Sequence, residues 1–423
     1  ISKTIIKLRQ NKNTIGTSLH LTLVTKNLLN YTSRIRDLLI LKEDLHSEKK
    51  WEEFLVDYIN YEKSKNSITN LFTSHTDLLA LEIVEHTAQK GDHYIADKDS
   101  EYKSFFRKGL LGGLIISLFA LFKILIDSQF NESLPLAFLY SLNYALCFII
   151  VFVIGGTIAT KQPAMTASTI AKHIDKNDDL KYDTLQDIIL LLRKISRSQF
   201  ISLLGNFIMA FSASCAIVLI LKAGFSIDPI DSEKSNYLIQ QSFPFSGGAI
   251  FYAAIAGVFL SISGFISGYF DNKVKASNFS YRVQNNKILS QKIPHPVLVK
   301  ISLTLEKNLG VYIGNICLGF FLGSSFLLSF FSPFEIDIRH IAFSSSNLGY
   351  AFLNFNFNLP TMVLAILSVF LIGLINFLVS FSMTFLLVLK SRGLEINKLS
   401  KLIVLTLKDF LTHPIDYFIL RDK

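Results

Sequence analysis

Arg339 and His340 stand side by side in FEIDIRHIAFSSSNLGYAF, residues 334–352. A guanidinium can fork onto a carboxylate or phosphate, and an imidazole can give or take a proton near neutrality. Asp337, Asn347 and three serines lie within a few residues. Arg339, His340, Asn347 and Asp337 are therefore the first candidate ligand site. Its expected ligand is an anionic headgroup, a phosphate or a carboxylate. The plainer reading is a loop pinned by an Asp337–Arg339 or Glu335–Arg339 ion pair. A second candidate is Lys161 with Thr166 and Thr169. A helix beginning at Pro163 would aim free N–H groups at an anion beside that lysine.

The surroundings of these residues are apolar. The 423 residues are 50% hydrophobic and only 18% charged, against about 25% charge in soluble domains. Six apolar runs are long enough to span a hydrocarbon core: 107–126, 136–158, 199–221, 249–270, 309–331 and 361–389. The stretch 334–352 falls between the last two. It is too short to span, and it would be tolerated as a re-entrant segment only where protein or a water cavity satisfies its backbone. Residues 335–339 alternate polar and apolar, which predicts an extended segment. A short helix capped by Ser344 or Ser345 is expected after it.

The net charge of +9 has a topological reading. Arg107 and Lys108 precede the first run, and bases crowd the second and fourth connections and the tail. The first connection has Asp127 and Glu132 with no base, and the fifth has only Arg339 among basic residues. This alternation predicts an inner-membrane protein with both termini cytoplasmic. Candidate site one then lies on the outer side and candidate site two on the inner side. The charge gives no support to DNA binding.

The expected fold is all-α, a polytopic membrane protein with six transmembrane helices and an N-terminal cytoplasmic helical bundle. Residues 1–103 show helical spacing and no proline, and read as a cytoplasmic helical region, the end of a larger one. Residues 104–390 form the six-span domain, and 391–423 a cytoplasmic tail with an amphipathic helix. Residues 184–195 read as another amphipathic helix, lying on the inner face.

Small residues four apart suit close helix packing in lipid. Gly264 and Gly268 lie in the fourth run. Gly310, Gly314, Gly319 and Gly323 lie in the fifth. The fourth and fifth spans are expected to pack together. Asn143, Asn206, Asn315 and Asn376 sit within spans and are read as interhelical glue. The runs hold no central Asp or Glu of the kind proton-coupled carriers use. A three-plus-three inverted repeat would favour transport, but none is evident by inspection. Cys147, Cys215 and Cys317 lie in apolar runs and read as small buried hydrophobes. No metal or other cofactor is expected.

Four stretches resemble those of bacterial transmembrane proteins grouped as site-specific recombinases. They are ATKQPAMTAST (159–169), GVFLSISGFISGYFDNK (257–273), NLGVYIGNICLGFFLGS (308–324) and EIDIRHIAFSSSNLGYA (335–351). The resemblance covers about residues 105–390. Members of that family are typically longer, with more helical sequence before the first span, and the family name implies DNA strand exchange. The residues carry no motif for it. None of the nine histidines is followed three residues later by arginine, no Tyr-x-Arg-x-Ser occurs, and no nucleotide-binding Gly-x-x-x-x-Gly-Lys occurs. The expected role is non-enzymatic, in transport or in lipid and envelope handling. A membrane scaffold is the alternative, and recombination is the third. Expected partners are membrane lipids, with the cytoplasmic helices offering a surface to a protein partner. Nucleic acid is not an expected partner.

Overall fold

The computed structural model describes residues 19–43, 48–65, 83, 95–96, 98–129, 133–158, 170, 182–331, 336, 338–354, 358–392 and 396–420. Every regular element among them is helical. Lys161, Thr166, Thr169, Glu335 and Asp337 lie outside the described residues, as does nearly all of 66–97.

Two helices precede the membrane part, α1 (Leu19–Glu43) and α2 (Glu48–Lys65). Arg34 of α1 lies over the rings of Phe54 and Tyr58 on α2, at 5.4 and 5.0 Å. Next come α3 (Asp99–Gln129), α4 (Ser133–Val153), α5 (Tyr182–Phe225), α6 (Ser232–Gln240), α7 (Ala249–Ala276), α8 (Phe279–Gln284), α9 (Lys287–Lys292) and α10 (His295–Ser324). A 3₁₀ turn, Ser325–Phe331, extends α10. Then follow α11 (Ile341–Phe352), α12 (Leu359–Arg392) and α13 (Ile396–Thr412).

Six helices are long and apolar enough to cross a membrane: α3, α4, α5, α7, α10 with its 3₁₀ turn, and α12. They form a ring. α3 packs on α5 and α4, α4 on α10, α10 on α7, and α7 on α12. Phe207 of α5 and Phe370 of α12 close it, with ring centroids 4.6 Å apart. α3, α5 and α10 leave from one face, which bears Arg107, Lys108, Lys273 and Lys275 and is called the basic face below.

α5 is one continuous helix from Tyr182. Residues 184–195 are thus no separate surface helix. No glycine or proline interrupts 184–204, so the helical hydrogen-bond ladder has no reason to stop there. The apolar side of this extension, Leu185, Ile188, Ile189 and Ile195, packs in a cluster with Phe385 and Leu402.

Backbone contact seals the ring's seams. A Cβ on Gly310 would overlap Ser267 O and the carboxylate of Asp271; one on Gly314 would stand 2.9 Å from Ser263 O. α7 and α10 therefore meet through the glycines of α10 and the serines of α7. Gly264 and Gly268 are buried on α7. Gly319 and Gly323 close on a different helix, α4, against the backbone of Ala145 and Ser141. α3 and α5 meet through Gly109, Gly113 and Gly205. The buried carboxylate of Asp271 falls just past the fourth apolar run, where hydropathy gave no reason to look for one.

Candidate functional site

The centre of the ring is filled by α11. Ten of its twelve residues are buried. Phe343 stacks edge-on to Tyr144 at 4.5 Å and lies 6.2 Å from Phe148, both well inside α4. Tyr350 Oη donates to Ser117 O of α3 at 2.7 Å. Phe211 of α5 meets Phe352 at 5.6 Å, and Cys215 Sγ donates to Gly349 O. The helix runs outward to Asn354, whose amide joins Lys222, Asp228 and Ile230 O at the far end of α5. The chain thus descends from the end of α10 as an extended segment, 338–340, and climbs back as α11. This is a re-entrant helix with its backbone groups satisfied by protein.

The helix starts at Ile341 with His340 as N-cap residue, three residues before the serines expected to cap it. The cap comes from another helix. Asn376 of α12 accepts from Ile341 N at 3.1 Å through Oδ1. Its Nδ2 donates to Arg339 O at 3.1 Å and to Ala253 O of α7 at 2.7 Å. Ser345 turns inward and donates to Ile341 O at 2.7 Å. The serines are fully inside the helix and buried. A local pattern could not show that a carboxamide 35 residues away supplies the cap.

Arg339 is 8% exposed. Its Nε donates to Gln241 O at 3.1 Å, and its guanidinium lies 5.7 Å from the ring centre of Tyr252 on α7. His340 is 3% exposed, with its ring 6.2 Å from Phe148 and 6.3 Å from Phe343. Asn347 is half-buried on α11. The structure therefore joins Arg339 and His340 at the start of the re-entrant helix, with Asn347 two turns on. It adds Asn376 and Tyr252, which sequence spacing did not link to them. The four in-span asparagines all donate to backbone carbonyls of a neighbouring element. Asn143 reaches Phe119 O at 3.0 Å, and Asn315 reaches Phe148 O at 3.1 Å. Asn206 reaches Gly109 O at 2.6 Å and Thr157 O at 2.9 Å.

A second polar cluster lies at the basic face. Arg193 of α5 donates through Nε to Asp409 of α13 at 2.6 Å, and its second amino group meets the other carboxylate oxygen. Asp416 stands 3.5 Å from the same guanidinium, His413 at 3.3 Å, and Tyr417 Oη donates to Asp409 at 2.7 Å. Arginine, histidine and tyrosine are the residue types of tyrosine-type strand exchange. Here burial, then Asp409, push the Tyr417 phenol pKa up, so its proton is held. Two carboxylates beside one guanidinium repel a phosphate. The arrangement clamps α13 onto α5.

The Arg193 hydrogen bond holds the Asp409 carboxyl below its ordinary range. That stabilisation is full above the unfolded value of about 4 and is lost as pH falls through the depressed native value. Asp409→Asn is expected to cost α13 about 2 kcal/mol of docking at neutral pH. Hydrogen exchange of residues 396–412 should show it, and the difference from the parent should vanish in acid.

Among the described residues, no group of three or more His, Cys, Asp or Glu is placed to hold a metal. No curated protein and no solved structure gives a significant match to the chain. One family model, described as site-specific recombinase, matches residues 2–419. That match spans nearly the whole chain, so this six-span protein with its central re-entrant helix belongs to the site-specific recombinase family.

Proposed function

We propose that this protein moves or handles an anionic solute or lipid headgroup across the inner membrane, with the basic face towards the cytoplasm. One observation carries the reading: a re-entrant helix, α11, buried at the centre of a six-helix ring with Arg339 at its start. A scaffold needs only apolar spans and gains nothing from a buried polar hairpin. Re-entrant backbone in the bilayer is characteristic of selectivity elements and substrate sites. Arg339 brings a permanent charge to that hairpin, and a buried charge in a membrane protein marks a ligand path. The aromatic floor of Tyr252 and the Gln241 carbonyl orient the guanidinium.

The test is native mass spectrometry of the intact protein in nanodiscs containing anionic lipid, repeated with inorganic phosphate added. A retained lipid and a retained phosphate are distinguished by mass. Arg339→Ala is expected to lower occupancy at least about tenfold, the worth of one charge-assisted hydrogen bond, while leaving expression and the monodisperse peak unchanged. Unchanged occupancy would end the Arg339 reading. A stoichiometric protein with no small ligand would favour the scaffold.

A further inference from the structure

The two asparagines with a double donation to backbone carry out the same operation twice. Asn206 of α5 ties Gly109 O of α3 to Thr157 O, in the non-helical segment that follows α4. Asn376 of α12 ties Ala253 O of α7 to Arg339 O, in the extended segment that follows α10. The packing one turn further along repeats as well. A Cβ on Gly113 would stand 2.6 Å from Asn206 O and 3.1 Å from Met209 Cβ. A Cβ on Gly257 would stand 3.2 Å from Asn376 O and 2.7 Å from Val379 Cβ. The spacings agree: Gly113 follows Gly109 by four residues as Gly257 follows Ala253, and Met209 follows Asn206 by three as Val379 follows Asn376.

The sequences around the asparagines align without a gap. SQFISLLGNFIMAFS (198–212) and SVFLIGLINFLVSFS (368–382) share S-x-F-x-x-x-L-x-N-F-x-x-x-F-S. Apolar helices share Leu and Phe by composition alone. Composition does not explain a common register in which the same asparagine makes the same two kinds of bond. Ser198 and Ser368 even make the same bond, each to the carbonyl four residues back. Each unit has three spans, an odd number, so the second unit enters the membrane from the opposite face.

We infer that the ring is an inverted repeat of two units, α3–α5 and α7–α12, and that the Asn206 and Asn376 clasps are its two equivalent gates. Segment 156–158 leaves α4 at the basic face, and segment 338–340 comes in from the other face. Opening one clasp exposes the ring's centre to one face, and opening the other exposes it to the opposite face. Inverted repeats in membranes support this alternation around a fixed central site. The purpose of the alternation rests on the transport reading above; the repeat and the sidedness of the clasps do not.

The experiment places one reporter cysteine, Ser345→Cys, on the buried face of α11, in a background with Cys147, Cys215 and Cys317 replaced by alanine or serine. A membrane-impermeant maleimide is applied to each face of the full-length protein in oriented vesicles. Asn206→Ser is expected to raise labelling from the basic face by about tenfold, the effect of one lost buried hydrogen bond. Asn376→Ser is expected to raise it from the other face by a similar factor. Serine is the mild choice; should either variant fail to fold, the same comparison is made with Asn206→Gln and Asn376→Gln, which keep the carboxamide and displace it by one methylene. Labelling that rises on the same face for both, or on neither face, overturns the inference. Opposite-sided labelling with no bound or translocated anion would leave the repeat standing and remove the transport reading alone.

Discussion

Gly323→Ala should destabilise the ring by about 2–3 kcal/mol. A methyl on Gly323 would lie inside the backbone of Ser141 and Tyr140 on α4, and backbone cannot rotate aside. α10 must then move off α4, and the whole seam through Gly319 and Ala145 opens with it. Asn315 would also lose its bond to Phe148 O. Gly224→Ala is the control, since nothing stands within 4 Å of a Cβ there. In that helix the same substitution should gain up to about 1 kcal/mol by lowering backbone entropy. Thermal unfolding in a mild detergent reads both. Equal midpoints for the two variants would refute the seam.

Asn376→Leu should be the other large effect, about 3 kcal/mol or more. Leucine keeps the number of side-chain heavy atoms but is bulkier than asparagine, so overpacking adds to the loss. Three buried partners, Ile341 N, Arg339 O and Ala253 O, would lose their bonds at once. Each unsatisfied buried group costs about 1–3 kcal/mol, and low dielectric leaves no water to replace them. The loss falls at the start of α11. Amide exchange across 341–352 is expected to quicken by at least about a hundredfold, with little change in α13. Uniform exchange across the molecule would mean that Asn376 serves global stability and has no special role at the re-entrant helix.

The sequence by itself determined the six apolar helices, the all-helical class and the family. These follow from local properties: run length against bilayer thickness, and four stretches that resemble one family, whose model matches residues 2–419. Asparagines as interhelical glue were also legible, because a carboxamide in lipid must find a partner. Which partner it finds was not. Gly319 and Gly323 have the same spacing as Gly310 and Gly314, yet they close on α4 while the others close on α7. A four-residue spacing shows that a helix face is small; it does not carry the identity of the helix opposite.

The same reason explains the site. Arg339 and His340 could be singled out by residue type, but their burial could not, because a polar stretch between two spans reads as a surface loop. The tertiary structure turned it into the ring's centre by supplying a cap from Asn376 and an aromatic wall from Tyr144 and Phe148. It also brought Asn206 and Asn376 into equivalent roles. Their shared pattern was present in the letters, but seven matching positions within two apolar helices carry little weight until the hydrogen bonds show that they mean the same contact. Hydropathy is a property of one segment, and partner choice is a property of two, so only the folded ring could decide it.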